Sequence, residues 1–280
     1  MADFRVAALY RYPLKSAAGV ACDSVELDRF GVRGDRRWMI VDDGGAPVTQ
    51  RERATLANLS AELMAEGRLL LSWRDNAGTG LAGEIDVTPP GSDTTRIPIT
   101  IWGDTVELPL ADERSAAWLT ERVGSAARLA YMPDDVERPV NPRYADPEHR
   151  TALTDGYPLH VIGAGSLEDL NARLDAPVGI ERFRPNIFVA GCEPFDEDDW
   201  VEIRIGECDL KIVKPCPRCT VTTVDPATGV RGKEPLATLA KYRRRDDGVM
   251  FGQNALHQGR GLLRVGDAVE ILSRRSARPA

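Results

Sequence analysis

Apolar residues recur along this chain mostly in short runs, and the unit this pattern predicts most often is the strand. Phe4-Arg5-Val6-Ala7-Ala8-Leu9-Tyr10 breaks at Tyr12-Pro13, Ser24-Val25-Glu26-Leu27 alternates polar and apolar positions, and Phe30-Gly31-Val32 follows. Trp38-Met39-Ile40-Val41-Asp42 runs into Asp43-Gly44-Gly45, turn formers that predict a hairpin closing into Pro47-Val48-Thr49. More strand-length segments lie at 68–73, 85–88, 97–101 and 105–108. Clusters of turn-forming residues at 76–80 and 89–93 separate them. Short strands at this spacing predict a barrel or sandwich.

Three helices stand against that background. Asp112 is placed to cap a segment whose Ala116, Leu119 and Val123 share one face and which ends at Gly124. Ser166-Leu167-Glu168-Asp169 resembles a capping box with Asp in the usual Glu position, and Leu167, Leu170 and Leu174 fall on one face. Pro235 opens a third helix carrying Leu236 and Leu239, with Arg243, Arg244 and Arg245 near its end, where cations complement the helix dipole. Residues 133–155, rich in Pro, Arg and Asp, predict a long loop of the kind that is usually functional or disordered. Leu262 to Leu272 reads as two short strands around Gly266-Asp267, and 273–280 as a frayed tail. The fold expected is mainly β with a few helices, a small N-terminal barrel leading into a larger C-terminal one.

Composition narrows the function. The 280 residues are 42% hydrophobic and 28% charged, enough for a sizeable core. The net charge of −7 argues against a protein that coats nucleic acid or an anionic membrane, so an anionic ligand needs a local pocket. Charge interrupts the first residues at once, and no run of about 18 apolar residues occurs, so neither a signal peptide nor a membrane span is expected. Five scattered cysteines and three histidines point to a reducing, cytoplasmic compartment and away from chemistry built on several histidines.

The most informative stretch is Lys214-Pro215-Cys216-Pro217-Arg218-Cys219-Thr220-Val221-Thr222-Thr223-Val224-Asp225. As half of a zinc site, Cys216 and Cys219 would need a second ligand pair, and Cys192, Cys208 and the histidines show no such spacing. As a thiol redox motif the pair should open a helix, but Thr220 to Val224 is β-branched and predicts a strand. A single reactive thiolate is the third reading, with Lys214 and Arg218 favouring its ionised form as nucleophile or metal ligand. Burial of both cysteines in the core is the plain alternative.

Two other clusters carry possible ligand-binding chemistry. Lys15 beside Ser16, together with an arginine of Gly34-Asp35-Arg36-Arg37-Trp38, could clamp a phosphate by charge-assisted hydrogen bonds, or could be solvated surface charge. An arginine and Asn186, in Arg182-Phe183-Arg184-Pro185-Asn186-Ile187, sit where a strand begins and suit an anionic or heteroaromatic ligand, an outward-facing edge strand being the alternative. Phe251-Gly252-Gln253-Asn254 could add amide groups to the same pocket.

In this order, Tyr-Pro-Leu-Lys-Ser, Gly-Asp-Arg-Arg-Trp, Thr49-Gln50-Arg51-Glu52, Phe-Arg-Pro-Asn-Ile, Lys-Pro-Cys-Pro-Arg-Cys with its Thr-Thr-Val-Asp continuation, and Phe-Gly-Gln-Asn resemble the MOSC proteins. The likeness is to the mitochondrial amidoxime-reducing component and its bacterial relatives, over about residues 3–273. It implies a MOSC N-terminal β-barrel domain at 1–125 and a MOSC β-barrel domain at 126–275. It also implies a molybdenum-molybdopterin cofactor, with Cys219 as the metal ligand and catalytic residue.

By the same resemblance, Lys15, Ser16 and Arg36 hold the pterin phosphate end, Arg184 and Asn186 line the pocket, and the backbone around Pro217 and Arg218 lies beside the cofactor. Gly156, Tyr157 and Asn254 complete the set but depart from the family pattern, which places small hydroxyl residues at the first two positions and allows an aromatic at the third. A pyridoxal-phosphate-binding label also travels with the family. The implied activity is reduction of N-hydroxylated compounds, amidoximes or hydroxylamines, with electrons from a separate ferredoxin, flavin or cytochrome-type protein, since the chain lacks cysteines for an appended iron–sulfur cluster. A sulfur-carrier or cofactor-delivery module using a Cys219 persulfide is the competing class.

Overall fold

A computed structural model describes residues 3–75 and 80–275 of the chain. The first half carries β1 (Arg5–Arg11), β2 (Val20–Cys22), β3 (Ser24–Asp28), β4 (Gly31–Val32), β5 (Trp38–Val41), β6 (Leu59–Leu63), β7 (Leu69–Arg74), β8 (Leu81–Val87), β9 (Arg96–Ile101), β10 (Asp104–Pro109), α1 (Glu113–Val123) and β11 (Arg128–Tyr131). The second carries β12 (Leu159–Gly163), α2 (Ala164–Asn171), β13 (Ile187–Ala190), β14 (Trp200–Ile205), β15 (Cys208–Arg218), α3 (Leu236–Tyr242), β16 (Arg244–Arg245), β17 (Gly248–Gln258), β18 (Gly261–Arg264) and β19 (Val269–Arg274). The molecule is mainly β, as the apolar pattern predicts.

The largest sheet runs β19-β14-β15-β17-β12-β13-β1-β2, with β16 on the edge of β17. Its pairings are antiparallel except β12 with β13. Leu9, Val161, Ile187, Ile203, Leu210 and Ala255 point inward to one core. No continuous ladder closes this sheet into the expected barrel. Its ends meet through an Arg5–Ala268 bridge and the bonds Val6 N to Asp267 O, 2.9 Å, and Val269 N to Phe4 O, 2.8 Å. Strands from the start of the chain thus share sheets with strands from its end, β1 with β13 and β3 with β18.

A second core lies under β6-β7-β8, β5 and α1, with Trp38, Leu59, Leu71 and Leu119 fully buried. On β7, Leu69, Leu71 and Trp73 alternate inward, as a period of two requires. The turn after β5 forms at Asp42, whose carboxylate accepts the Gly44 and Ala46 N–H groups, and Val41 bridges Pro47. The main partner of β5 is nevertheless β11, which the local pattern does not announce.

The first helix follows its sequence signals: the Asp112 carboxylate accepts the Ser115 N–H at 2.8 Å, and Gly124 ends the helix with φ 75°. The second departs from the expected capping box. It begins at Ala164 behind Gly163, and fully buried Ser166 donates to Glu197 at 2.7 Å while accepting the Phe195 N–H. Leu174 lies beyond the end of this helix, although it still packs on the same cluster. The third starts after Pro235, and Arg244 and Arg245 leave it to form β16.

The two C-terminal strands flank Gly266-Asp267 but do not pair, because β18 joins β3 and β19 joins β14. Ser273 and Arg274 belong to β19, with Arg274 paired to Asp196, so the expected tail begins later; 276–280, and 76–79 of the predicted turn cluster, lie outside the described residues. Residues 133–155 contain no helix or strand. Arg138, 1% exposed, pins this loop by donating to the Ala152 and Thr154 carbonyls and to Asp104.

Candidate functional site

A cavity of about 480 Å³ opens where the end of β1, the long loop, β12 and the end of β15 converge. Its walls gather Lys15, Ser16, Arg36, Gly156, Tyr157, Arg184, Asn186, Pro217, Arg218, Cys219 and Asn254, the full set singled out in the sequence. Backbone strain concentrates there. Among the described non-glycine residues, positive φ occurs at six positions, and four of them, Ser16 (69°), Arg36 (46°), Trp102 (52°) and Arg184 (54°), line this cavity. Such conformations cost free energy and persist where the surroundings over-determine them, as at ligand clamps.

The cysteine wall comes from β15, whose two prolines cannot donate to the ladder. Its register with β17 shifts between Ile212 and Lys214 and again between Pro215 and Pro217. Across these bulges Lys214, Cys216, Pro217 and Arg218 all reach the cavity. Thr220 to Thr223 forms a single 3₁₀ turn in place of the expected strand. The Thr222 hydroxyl donates to the Cys219 carbonyl (2.9 Å) and the Thr223 hydroxyl to that of Thr220 (2.7 Å), local bonds that outweigh β-branching. Opposite, Gly252 of β17 has φ 73°, and a Cβ there would meet His160 and Ile162 at 2.6 Å.

Charge is arranged unevenly. Lys15, 8% exposed, donates to the Leu153 carbonyl at 2.8 Å and pairs with Asp155 at 2.5 Å. Arg51 meets the other Asp155 oxygen at 2.8 Å. Asp155 turns more than half its side chain to the open cavity. Burial pushes its carboxyl up, yet Lys15 and Arg51 overcome this and hold it well below the usual range. For Lys15, burial wins over Asp155 and moves the ammonium below its ordinary value.

Arg36 pairs with Asp35 at 2.5 Å and stacks over Tyr12 at 4.1 Å. Arg184 stacks on the same ring at 4.4 Å and donates to the Ala17 carbonyl. Burial first, and Arg36 second, push the Arg184 guanidinium down to about 10. Arg218 contacts the Cys216 sulfur at 3.0 Å, the Phe183 carbonyl at 2.7 Å and His160 Nε2 at 3.3 Å. Neither Arg184 nor Arg218 has a carboxylate partner among the ion pairs of the described residues. Burial, then Arg218, holds His160 well below the ordinary histidine value, so it is neutral.

Asn186 orders the wall, accepting the His160 N–H at 3.2 Å and an Arg36 N–H at 3.4 Å. Asn254 donates to the Pro215 carbonyl at 3.4 Å. Tyr157 packs edge-on against Tyr144, and burial, with Tyr144 and Cys216 adding to it, pushes its phenol up to about 12. Gly156 takes φ 155° and donates its N–H to the Thr154 hydroxyl.

Sequence reasoning missed Arg51, Trp102, Asp155 and His160 as cavity residues. Arg51 lay in a quoted motif without a role, and Asp155 at the head of the Asp-Gly-Tyr-Pro segment. All five cysteines are free thiols, and Cys219 is half-buried in the cavity wall beside Arg51. The arrangement is a cationic basin around a thiol, in a chain of net charge −7.

Comparison with known proteins agrees with the resemblance in the motifs. Residues 3–126 match the MOSC N-terminal beta barrel domain and residues 148–270 the MOSC domain. The mitochondrial amidoxime-reducing component 1 of Homo sapiens is 34% identical over 95% of this chain and 82% of its own length; that of Mus musculus is also 34% identical over the same shares. Mitochondrial amidoxime reducing component 2 of Rattus norvegicus is 33% identical over 94% of this chain and 82% of its own. No helix among the described residues is long and apolar enough to cross a membrane. With both domain matches and a third of its residues shared along nearly its whole length, the chain belongs to the MOSC family of amidoxime-reducing components.

Proposed function

We propose that this protein is a molybdenum-cofactor oxidoreductase that reduces N-hydroxylated compounds, taking electrons from a separate redox protein. The observation that carries the reading is the pairing of uncompensated cations with a thiol in one cavity. Arg184 and Arg218 face it without a carboxylate counter-charge, and the Arg218 Nε is buried with no hydrogen-bond partner among the described groups. A dianionic phosphate supplies that charge, and a soft thiolate suits a thiophilic metal. The residues therefore fit a molybdenum-molybdopterin group.

In this reading Cys219 is the metal ligand, Lys15, Ser16 and Arg36 hold the phosphate end with Arg184, and Asn186, Gly156, Tyr157, Pro217, Arg218 and Asn254 shape the walls. When bound, the group supplies the two-electron chemistry that N–O reduction needs. The overall reaction consumes two electrons and two protons, leaving the N–H compound and water. Asp155, held ionised, and His160, held neutral by burial, are both poor proton sources near neutral pH, so the chain's own part is to bind, orient and set the field.

The test is purification from a molybdenum-replete host, gel filtration, and assay of benzamidoxime with a chemically reduced viologen. Retained molybdenum and pterin with benzamidine as product are expected. Protein that loses both, carries persulfide on Cys219 and reduces no N-hydroxylated compound would overturn the reading in favour of sulfur delivery.

A further inference from the structure

Trp102 is the residue whose position the fold does not explain. It sits with Gly103 in the two-residue turn joining β9 to β10, where Ile101 pairs with Asp104. Both turn residues have positive φ, 52° and 96°. Two-residue hairpins with that backbone favour Asn-Gly, and a bulky aromatic at the first position is strained. The ring gains little from burial in return, because it is 65% exposed. Neither turn chemistry nor the core accounts for a tryptophan here.

Its surroundings do. The ring lines the cavity, and the Arg51 guanidinium lies over it, 4.7 Å from the ring centre. Arg51 is in turn beside both Asp155 and the Cys219 sulfur, and the Trp102 side chain helps hold the Asp155 charge. One side chain therefore separates an exposed, strained aromatic surface from the thiol. Cations stack on indole faces, and Arg51 fixes the ring's orientation in this way.

We propose that Trp102 is a specificity-determining residue, a platform on which N-hydroxylated substrates bearing a planar aryl group stack. This rests on the reductase reading above and adds the substrate class. A stacked aromatic pair contributes about 0.5–1.5 kcal/mol beyond area burial, which corresponds to a selectivity of roughly 2- to 12-fold.

The test compares benzamidoxime with acetamidoxime, which share the N-hydroxyl group and differ in the ring. Binding to the as-isolated full chain is measured by calorimetry without any electron donor, so no turnover occurs. Trp102→Asn restores the favoured turn pair and keeps the hairpin; Trp102→Phe retains a smaller ring. The benzamidoxime to acetamidoxime affinity ratio is expected to fall roughly 2- to 12-fold in Trp102→Asn and to recover partly in Trp102→Phe. A ratio unchanged in Trp102→Asn overturns the platform while leaving the reductase reading intact. Failure of the wild type to bind either amidoxime overturns the N-hydroxyl reading itself, and the platform with it.

Discussion

Two groups of cations in the cavity solve the problem of buried positive charge differently. In one, Lys15 and Arg51 share the Asp155 carboxylate, at 2.5 and 2.8 Å, and Lys15 also meets a backbone carbonyl. In the other, Arg184 and Arg218 have carbonyl oxygens, aromatic rings and a thiol, but no carboxylate ion pair. Taking a cation from water is costly unless it is paired. The first group is partly neutralised within the chain, one carboxylate against two cations, while the second has no carboxylate and leaves its positive potential for a ligand to neutralise.

Removing a cation should therefore have opposite consequences for stability in the two groups. Arg184→Met is expected to lower retained pterin tenfold or more while leaving the melting temperature unchanged or raised, since the uncompensated charge disappears. Lys15→Met instead strips the Leu153 carbonyl of its donor and leaves Asp155 with Arg51 and Trp102, costing about 1–2 kcal/mol. Pterin quantification and denaturant melts of the two variants check both. Equal destabilisation by both substitutions would break the comparison.

The paired group also has a pH signature. The folded Asp155 value lies well below the unfolded one, so between the two the unfolded state binds more protons and stability rises with pH. The stability that wild type has over Asp155→Asn should be full above about pH 4 and be lost as the pH falls further toward the folded value. Urea melts between pH 3 and 7 would show it. A difference independent of pH would mean that Asp155 acts through shape rather than charge.

A smaller effect sharpens the contrast with the packed region. Asp112→Ala removes the cap of α1, far from the cavity lining, and should cost about 1 kcal/mol with pterin content unaltered. Loss of pterin from that variant would show that the basin depends on global stability rather than on its own charges.

Local rules made some of the fold legible and hid the rest. Asp112 and Gly124 bounded α1 because a cap and a left-handed glycine act within a few residues. Ser166 misled because its hydroxyl is recruited by Glu197, 31 positions away, which no local pattern records. The prolines of β15 look like strand breakers, yet the eleven-residue strand accommodates them by shifting register. At the site, Lys15, Arg36, Arg184 and Cys219 came into view through motifs spread over the chain. Asp155 and Arg51 did not, since their role depends on a loop folding back across the cavity, and Trp102 follows the 97–101 segment with no local signal of a ligand.

The central claim is that Cys219 and the cations around it hold a molybdenum-pterin group, and metal and pterin content per mole of protein tests it most directly. Wild type from a molybdenum-replete host should carry near-stoichiometric amounts of both, and Cys219→Ala should lose most of its metal while keeping its fold. Well-folded wild type without metal or pterin, or a Cys219→Ala variant that retains the wild-type metal content, would contradict the account.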